Sequence, residues 1–208
     1  MSGQPGQMRL HWSPRSPFVR KVMIAAHELG LADRIGTVRT RVSMTEPNDE
    51  ILADNPIGKI PTLVLADGTV LYDSGVICEY LDALAGGTLF PREGPARWTA
   101  LRRHALGTGF LDMLILWRYE RARAAPHPGV LEGFEGKAAA TLAALETEAP
   151  ALGHDGFTIG HVALGCALGY LDFRFAELGW RDGRPALAAW AEGFAARPSV
   201  RAVPVMDD

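Results

Sequence analysis

Ser16 is the residue whose type and position in this chain most favour chemistry. It follows the run Met8–Trp12, which is predicted to form a strand, and it directly precedes Pro17, which suits the first position of a helix. Serine is a favoured N-cap residue. Several backbone N–H groups at such a helix start lack partners within the helix and favour a negative charge beside the hydroxyl. A serine here can also do no more than cap its helix, so two interpretations are open.

The turn that ends at Ser16 also lacks a feature of redox proteins. Thioredoxin-like redox sites carry Cys-x-x-Cys between a strand and a helix. Residues 13–16 instead have the sequence Ser-Pro-Arg-Ser. Because serine cannot exchange disulfides, any reacting sulfur in such a unit would have to belong to a ligand.

Charge and composition exclude several classes of protein. The net charge of -3 gives no overall signal for nucleic-acid binding. Residues 1–45 nevertheless hold seven Lys or Arg against two Asp or Glu, a local net charge of +5 (7 − 2), which suits a small anionic substrate or a solvated basic face. The two cysteines lie in apolar helical patterns and are predicted to be buried thiols, and the six histidines show no metal-ligand spacing. The histidine spacing therefore predicts no metal site. No apolar run suits a signal peptide or a membrane span, so we expect no membrane contact and a cytoplasmic location.

The order of predicted elements divides the chain in two. Residues 1–7 are expected to be a frayed leader. Hydrophobic periodicity and turn signals then predict β-α-β-α-β-β-α, with strands at 8–12, 38–42, 62–65 and 69–71 and helices after Pro17, within 47–54 and from Asp73 to Gly86. Beyond a linker at 88–97, the patterns are all helical, at 98–123 (one helix or two, interrupted near Gly107), around 138–149, at 158–175 and at 185–196.

Four motifs occur in order along the chain. They are Ser-Pro-Phe-Val-Arg-Lys from residue 16, Asn-Pro-Ile-Gly-Lys-Ile-Pro-Thr-Leu from 55, Leu-Tyr-Asp-Ser-Gly-Val-Ile-Cys-Glu-Tyr-Leu from 71, and Leu-Gly-Cys-Ala-Leu-Gly-Tyr-Leu-Asp-Phe-Arg from 164. In this order they resemble the active-site turn, the cis-proline loop, the glutathione-binding helix and the buried C-terminal helix of the cytosolic glutathione S-transferases. The chain is most similar to their serine-type bacterial branch, with kinship to the zeta class.

The resemblance implies a fold and a division into domains. We expect a thioredoxin-like glutathione-binding domain at 8–87, the linker at 88–97, and an all-α domain at 98–208 that forms the second-substrate pocket. Glutathione would be the co-substrate and a small electrophile its partner in the reaction. Large apolar residues at 12, 113 and 117 are candidates for lining that pocket or for plain core.

Site residues follow from the same resemblance. Ser16 matches the catalytic serine. The other matches are substrate-binding, with Lys59 at the glycyl end of glutathione, Ile60 offering its main chain beside a cis bond to Pro61, and Asp73 with Ser74 at the γ-glutamyl group.

Two departures from the family pattern stand out. Asp73 replaces the more usual Glu, and His161 replaces an Asp three residues after Thr158. We therefore expect the capping box at Thr158 to be incomplete. The family commonly completes its γ-glutamyl site with an acid from a partner subunit, for which Asp112 is a candidate, and the resemblance accordingly implies a homodimer.

The resemblance leaves more than one function open. A glutathione S-transferase activates the thiol as a thiolate that attacks small electrophiles. A zeta-type enzyme instead uses glutathione for cis-trans isomerisation. A third alternative is a non-catalytic, transferase-like regulatory or interaction protein, against which the retained Ser16 and Asp73-Ser74 argue.

Overall fold

The computed structural model describes residues 7–207, which form two compact units. The first unit runs to Gly94 and also takes in the C-terminal segment from Pro198, and the second unit is Pro95–Arg197. Nearly all of the predicted leader, residues 1–6, lies outside the described part, as does residue 208.

A four-stranded mixed sheet organises the first unit. The strands are β1 (Met8–Trp12), β2 (Ile35–Arg39), β3 (Thr62–Val64) and β4 (Val70–Leu71), in the order β2-β1-β3-β4. β1 pairs with β2 in parallel and with β3 in antiparallel register. A parallel neighbour needs a crossover connection, which is supplied here by a helix. This confirms the predicted thioredoxin-like arrangement.

The helices of the first unit are α1 (Pro17–Glu28), α2 (Asp49–Asp54), α3 (Ser74–Ala85) and α8 (Pro198–Arg201). α1 packs against α3 and α8. The apolar residues of α1 and α3 are fully buried at Val22, Ile24, Ile77 and Leu81, so the core of this unit lies between these helices and the sheet.

The second unit contains the long helices α4 (Gly94–Arg121), α5 (Pro128–His154), α6 (Ile159–Arg174) and α7 (Pro185–Ala195). Every residue of α6 from Ile159 to Leu168 is buried, as its apolar pattern predicts. α4 is continuous, and Gly107 does not interrupt it. A Cβ atom on Gly107 would lie 2.6 Å from the Ala163 carbonyl carbon, so this glycine allows α4 to approach α6 closely.

Several predicted elements differ from the structure in their bounds, and α5 in particular extends well beyond the predicted 138–149. β2 occupies Ile35–Arg39 and not 38–42, because its ladder partner β1 ends at Trp12, opposite Arg39. α4 begins at Gly94, inside the predicted linker 88–97.

The C-terminal segment belongs to the first unit, whereas the domain bounds expected from sequence gave it to the second. Its contacts are with α1: Arg20 Nε donates a hydrogen bond to the Val203 carbonyl at 3.0 Å, and the Ser199 hydroxyl donates to Glu28. Among residues 7–207, no helix combines the length and apolar character needed to cross a membrane.

The capping box of α6 is complete, so the expectation that His161 would fail in this role is wrong. The Thr158 N–H donates to His161 Nδ1 at 3.0 Å, because an unprotonated imidazole nitrogen accepts a hydrogen bond as a carboxylate does. Burial, followed by the nearby Arg103 guanidinium, lowers the pKa of His161 below its usual 6.5 and favours the neutral form that can accept.

Candidate functional site

Three segments that carry predicted site residues meet at one end of the sheet. Ser16 follows the end of β1, and Ile60-Pro61 precedes the start of β3. His11 pairs with Thr62, so these two segments lie side by side. Asp73 follows the end of β4, where Leu71 pairs with Leu63. The topology therefore places the residues predicted to contact the thiol, the cysteinyl part and the γ-glutamyl group of glutathione at the same end of the sheet.

Ser16 is the N-cap of α1, as the sequence predicts. Its backbone is extended (φ -80°, ψ 116°), and its Oγ accepts a hydrogen bond from the Val19 N–H at 3.2 Å. Within residues 7–207 the half-buried hydroxyl donates to no acceptor. Its proton is thus available to a ligand.

The helix start offers fewer free N–H groups than the sequence suggests. Pro17 has none, Val19 donates to the Ser16 side chain, and Arg20 donates to the Ser16 carbonyl at 3.0 Å. The Phe18 N–H has no partner in the described part of the chain. No acidic side chain occupies the first turn of α1. An anion here would therefore meet one hydroxyl, one N–H and the positive end of the helix dipole.

The loop before β3 is held by side chains that the sequence analysis did not single out. The buried Asn55 donates from Nδ2 to the Lys59 carbonyl at 3.1 Å and to Thr62 Oγ1 at 3.0 Å. Thr62 in turn donates to the same carbonyl at 2.9 Å. The Asn55-Pro56 pair is a turn signal in the sequence. The contact of Asn55 with Thr62, seven residues later, forms only in the folded loop and could not be predicted from that signal.

The bond between Ile60 and Pro61 is cis, which confirms the prediction. Neither the N–H nor the C=O of Ile60 makes a hydrogen bond within residues 7–207, so this residue presents a free donor and a free acceptor. The exposed Lys59 ammonium has no hydrogen-bonding or ionic partner in the same range. Both groups suit a peptide-like ligand that ends in a carboxylate.

Asp73 and Ser74 have different roles at the start of α3. Asp73 is the N-cap, and its Oδ1 accepts a hydrogen bond from the Gly75 N–H at 2.9 Å. Ser74 is 2% exposed, and among the described residues its hydroxyl has no hydrogen-bond partner. Asp73 therefore supplies the acceptor that caps α3, and the Ser74 hydroxyl takes no part in the cap.

Models of two protein families match the chain. The model described as glutathione S-transferase, N-terminal domain, matches residues 15–84, and the glutathione S-transferase, C-terminal domain, matches residues 128–193. Together they cover more than half of the sequence. The chain belongs to the glutathione S-transferase family.

Individual relatives agree over almost the whole length. An uncharacterized glutathione S-transferase-like protein of Escherichia coli K12, YibF, is 31% identical over 92% of this chain and 96% of its own. A glutathione transferase family member from Pseudomonas fluorescens Pf-5, solved with bound glutathione, has a TM-score of 0.92 and 42% identity over 97% of this chain and all of that one. A glutathione S-transferase from Methylobacillus flagellatus KT with glutathione bound has a TM-score of 0.83, 31% identity, and coverages of 96% and 100%.

Of the apolar candidates for the second-substrate pocket of this transferase, Trp117 belongs to the core of the second unit. It is 2% exposed, and its ring centroid lies 4.9 Å from that of Phe175. Trp12 instead lines a cavity within the first unit. Among the described residues no group of His, Cys, Asp or Glu could hold a metal ion.

Proposed function

We propose that this transferase binds glutathione at the edge formed by Ser16, Ile60 and Ser74 and activates its thiol for attack on small electrophiles. The observation that carries the proposal is the Ser16 hydroxyl. It is fixed by its bond from the Val19 N–H, yet its own proton is unused within residues 7–207. A donor that is already oriented costs little to bring to a developing charge.

Serine acts here as a donor and not as a base. A cysteine thiol has a pKa of about 8.5, so a few per cent is thiolate at neutral pH. A hydrogen bond to a charged group contributes about 1.5–3 kcal/mol, which corresponds to roughly one to two pKa units at 1.36 kcal/mol each. The thiolate is then ready as a nucleophile, with the dipole of α1 adding to its stabilisation.

The remaining site residues bind the rest of glutathione. The free N–H and C=O of Ile60 would pair with the main chain of its cysteinyl part, and Lys59 would attract the glycyl carboxylate. The Ser74 hydroxyl and the start of α3 would hold the γ-glutamyl carboxylate, with the second oxygen of Asp73 facing its amine. The homodimer implied by the resemblance and the acid from its partner stay predictions.

The test compares Ser16→Ala with Ser16→Thr, because threonine keeps both the hydroxyl and the cap. Ser16→Ala should raise the pKa of bound glutathione, measured by thiolate absorbance, and lower turnover of a chloronitrobenzene about tenfold to more than a hundredfold. Ser16→Thr should keep most of both. Wild-type absorbance and turnover in Ser16→Ala would reduce Ser16 to a helix cap. An assay with a cis-dienoate distinguishes conjugation from isomerisation.

A further inference from the structure

A buried histidine on β1 joins three other segments of the first unit. His11 is 0% exposed, and its partner across the sheet is Thr62, the first residue of β3. Its Nδ1 lies 2.8 Å from the Oγ1 of Thr40, which directly follows β2. Its Nε2 lies 2.8 Å from the Oδ2 of Asp54, the last residue of α2. We call His11, Thr40 and Asp54, together with Arg9, the His11 cluster.

The contact between His11 and Asp54 is a charge-assisted hydrogen bond. The bond from His11 lowers the pKa of the Asp54 carboxyl, burial opposes this effect, and a bond from Arg9 Nη2 at 2.8 Å adds to it. An ionised carboxylate can only accept, so His11 Nε2 carries a proton and donates it. Hydrogen bonds to an ionised acceptor are stronger than neutral ones. The end of α2 is therefore held firmly on β1.

The His11 cluster is continuous with the loop that precedes β3. The residue after Asp54 is the buried Asn55, which donates to the Lys59 carbonyl at 3.1 Å. Thr62 donates to the same carbonyl at 2.9 Å. One donor thus adjoins the cluster along the chain, and the other adjoins it across the sheet, opposite His11.

These two bonds decide where the next N–H group points. The Lys59 carbonyl and the Ile60 N–H belong to one peptide unit, which is trans. In a planar trans peptide the C=O and the N–H point in opposite directions. Because Asn55 and Thr62 turn the carbonyl towards themselves, the Ile60 N–H is turned away from them and has no hydrogen-bond partner within residues 7–207.

We propose that His11 and Asp54 are positioning residues for glutathione. They anchor Asn55, and through it they orient the peptide whose Ile60 N–H meets the cysteinyl part of the ligand. The inference rests on the proposed function, because it assigns the support of that same site. The Ile60 contact is made before and during reaction, so loss of its support should raise KM for glutathione and leave kcat nearly unchanged.

Two variants of His11 separate its two contacts. In His11→Gln the side-chain amide takes the place of Nε2 and can still donate to Asp54. In His11→Asn the shorter amide takes the place of Nδ1 and loses Asp54. His11→Asn should raise KM for glutathione, and its Kd measured by calorimetry, about fivefold or more. The KM for a chloronitrobenzene and kcat should stay within about twofold, and His11→Gln should keep most of the affinity for glutathione.

Two further positions test the same connection if His11→Asn does not fold. Asp54→Ala removes the acceptor at a side chain that is 22% exposed and should give the same rise in KM. Thr62→Val replaces the hydroxyl with a methyl group of nearly equal size, so it removes one bond to the Lys59 carbonyl and should also raise KM. Thr62→Ser keeps the hydroxyl and should stay close to wild type.

Asp82→Ala is the control for lost stability in the same unit. Asp82 is buried near the end of α3 distant from Ser74, where it accepts from the Thr88 and Leu89 N–H groups at 2.7 and 2.6 Å. This variant should lower the melting temperature and leave KM for glutathione unchanged.

Three results would overturn the proposal. They are a wild-type KM for glutathione in the folded variants of His11, Asp54 and Thr62, equal rises in His11→Asn and His11→Gln, and an equal rise in Asp82→Ala. Calorimetry on the wild type distinguishes this failure from failure of the proposed function. A wild type that does not bind glutathione refutes the proposed function itself, whereas tight binding that His11→Asn retains refutes only the positioning role.

Discussion

α1 and α6 both begin with a hydroxyl side chain, and the two hydroxyls have opposite fates. At α6 the third residue is His161, whose Nδ1 accepts from the Thr158 N–H and lies 3.0 Å from the Thr158 hydroxyl, which must then be the donor. At α1 the third residue is Val19, whose side chain cannot accept a hydrogen bond, so the Ser16 O–H group has no acceptor there and stays available as a donor. The residue three positions after a helix cap thus decides whether its hydroxyl is consumed by the fold or remains available for chemistry.

Burial does not distinguish the two hydroxyls, since Ser16 and Thr158 are both half-buried. The acceptor at α6 is held more firmly, because His161 is 2% exposed and the Phe157 ring centroid lies 5.4 Å from its own. We call the Thr158–His161 cap of α6 the closed cap, which stabilises its unit. The Ser16 cap of α1 is the open cap, which offers a hydrogen-bond donor at the positive end of a helix. The variants below separate these two roles.

The largest expected effect comes from a carboxylate at the open cap. Ser16→Asp keeps a strong N-cap, so the melting temperature should hold. If Ser16 stabilises a thiolate as proposed, this change also removes the donor and puts a like charge beside the sulfur, so turnover at saturating glutathione should fall about a hundredfold or more. Thr158→Asp makes the same change at α6 and should leave turnover unchanged. Equal losses in both variants would show that a general structural effect, and not the open cap, is responsible.

The next effect is on binding. In the proposed site Ser74 contacts the end of glutathione that is distant from the sulfur, so its bond would be nearly equal in ground and transition states. Ser74→Ala should therefore weaken the binding free energy of glutathione by about 1–3 kcal/mol, seen as a higher KM, and change kcat by no more than a few fold. Because Asp73 caps α3, the melting temperature should stay close to wild type. Ser43→Ala, at an exposed serine, is the control and should change neither constant. A loss of kcat as large as that in Ser16→Ala would contradict this division of roles.

Acid sensitivity should belong to the closed cap. Burial and then Arg103 lower the pKa of His161, with Asp155 opposing and Arg197 adding to the effect. The unfolded chain therefore binds a proton more readily, so the contribution of neutral His161 is complete above pH 6.5 and is lost as the pH falls from there through the folded pKa. The free energy of unfolding should drop by up to about 1.4 kcal/mol per pH unit.

His161→Asp tests this origin, because aspartate accepts the same bond without titrating in that range. Denaturant unfolding between pH 7 and pH 5 should show a shallower pH dependence in His161→Asp than in wild type. His127→Asn, which changes a histidine at the cap of α5, should keep the wild-type dependence. A wild-type slope in His161→Asp would assign the acid sensitivity to another group.

Local signals predict much of this molecule. The turn chemistry of residues 13–17 predicts β1, the cap at Ser16 and the start of α1. The Asp-Gly pair predicts the hairpin of β3 and β4. The first two signals each lie within a short stretch of chain, where backbone preferences act directly. The family and the cis bond at Ile60-Pro61 follow instead from the resemblance carried by four motifs spread along the chain.

What depends on partners distant in sequence could not be predicted. β2 is bounded by the length of β1 and not by its own alternation. The tail returns to α1 through Arg20 and the Val203 carbonyl, 183 residues apart. Asn55 supports the loop before β3 only once that loop has folded. The cap at His161 depends on a protonation state set by burial.

The smallest effect concerns the charge of Asp73. Its Oδ1 caps α3 through the Gly75 N–H. In the proposed site its second oxygen faces the amine of glutathione. Asp73→Asn keeps an acceptor for the cap and removes the charge, so the melting temperature should hold. Asp73 is exposed, and exposed ion pairs contribute at most about 1 kcal/mol, so KM should rise by no more than about fivefold. Screening weakens such a pair, so the ratio of the two KM values should shrink as salt is raised. Asp67→Asn, an exposed acid in the β3–β4 turn, should show no change in KM. A rise in KM at Asp73 that is insensitive to salt would mean that the carboxylate orients the site through geometry, and α3 would then resemble α1 in using its cap for more than the fold.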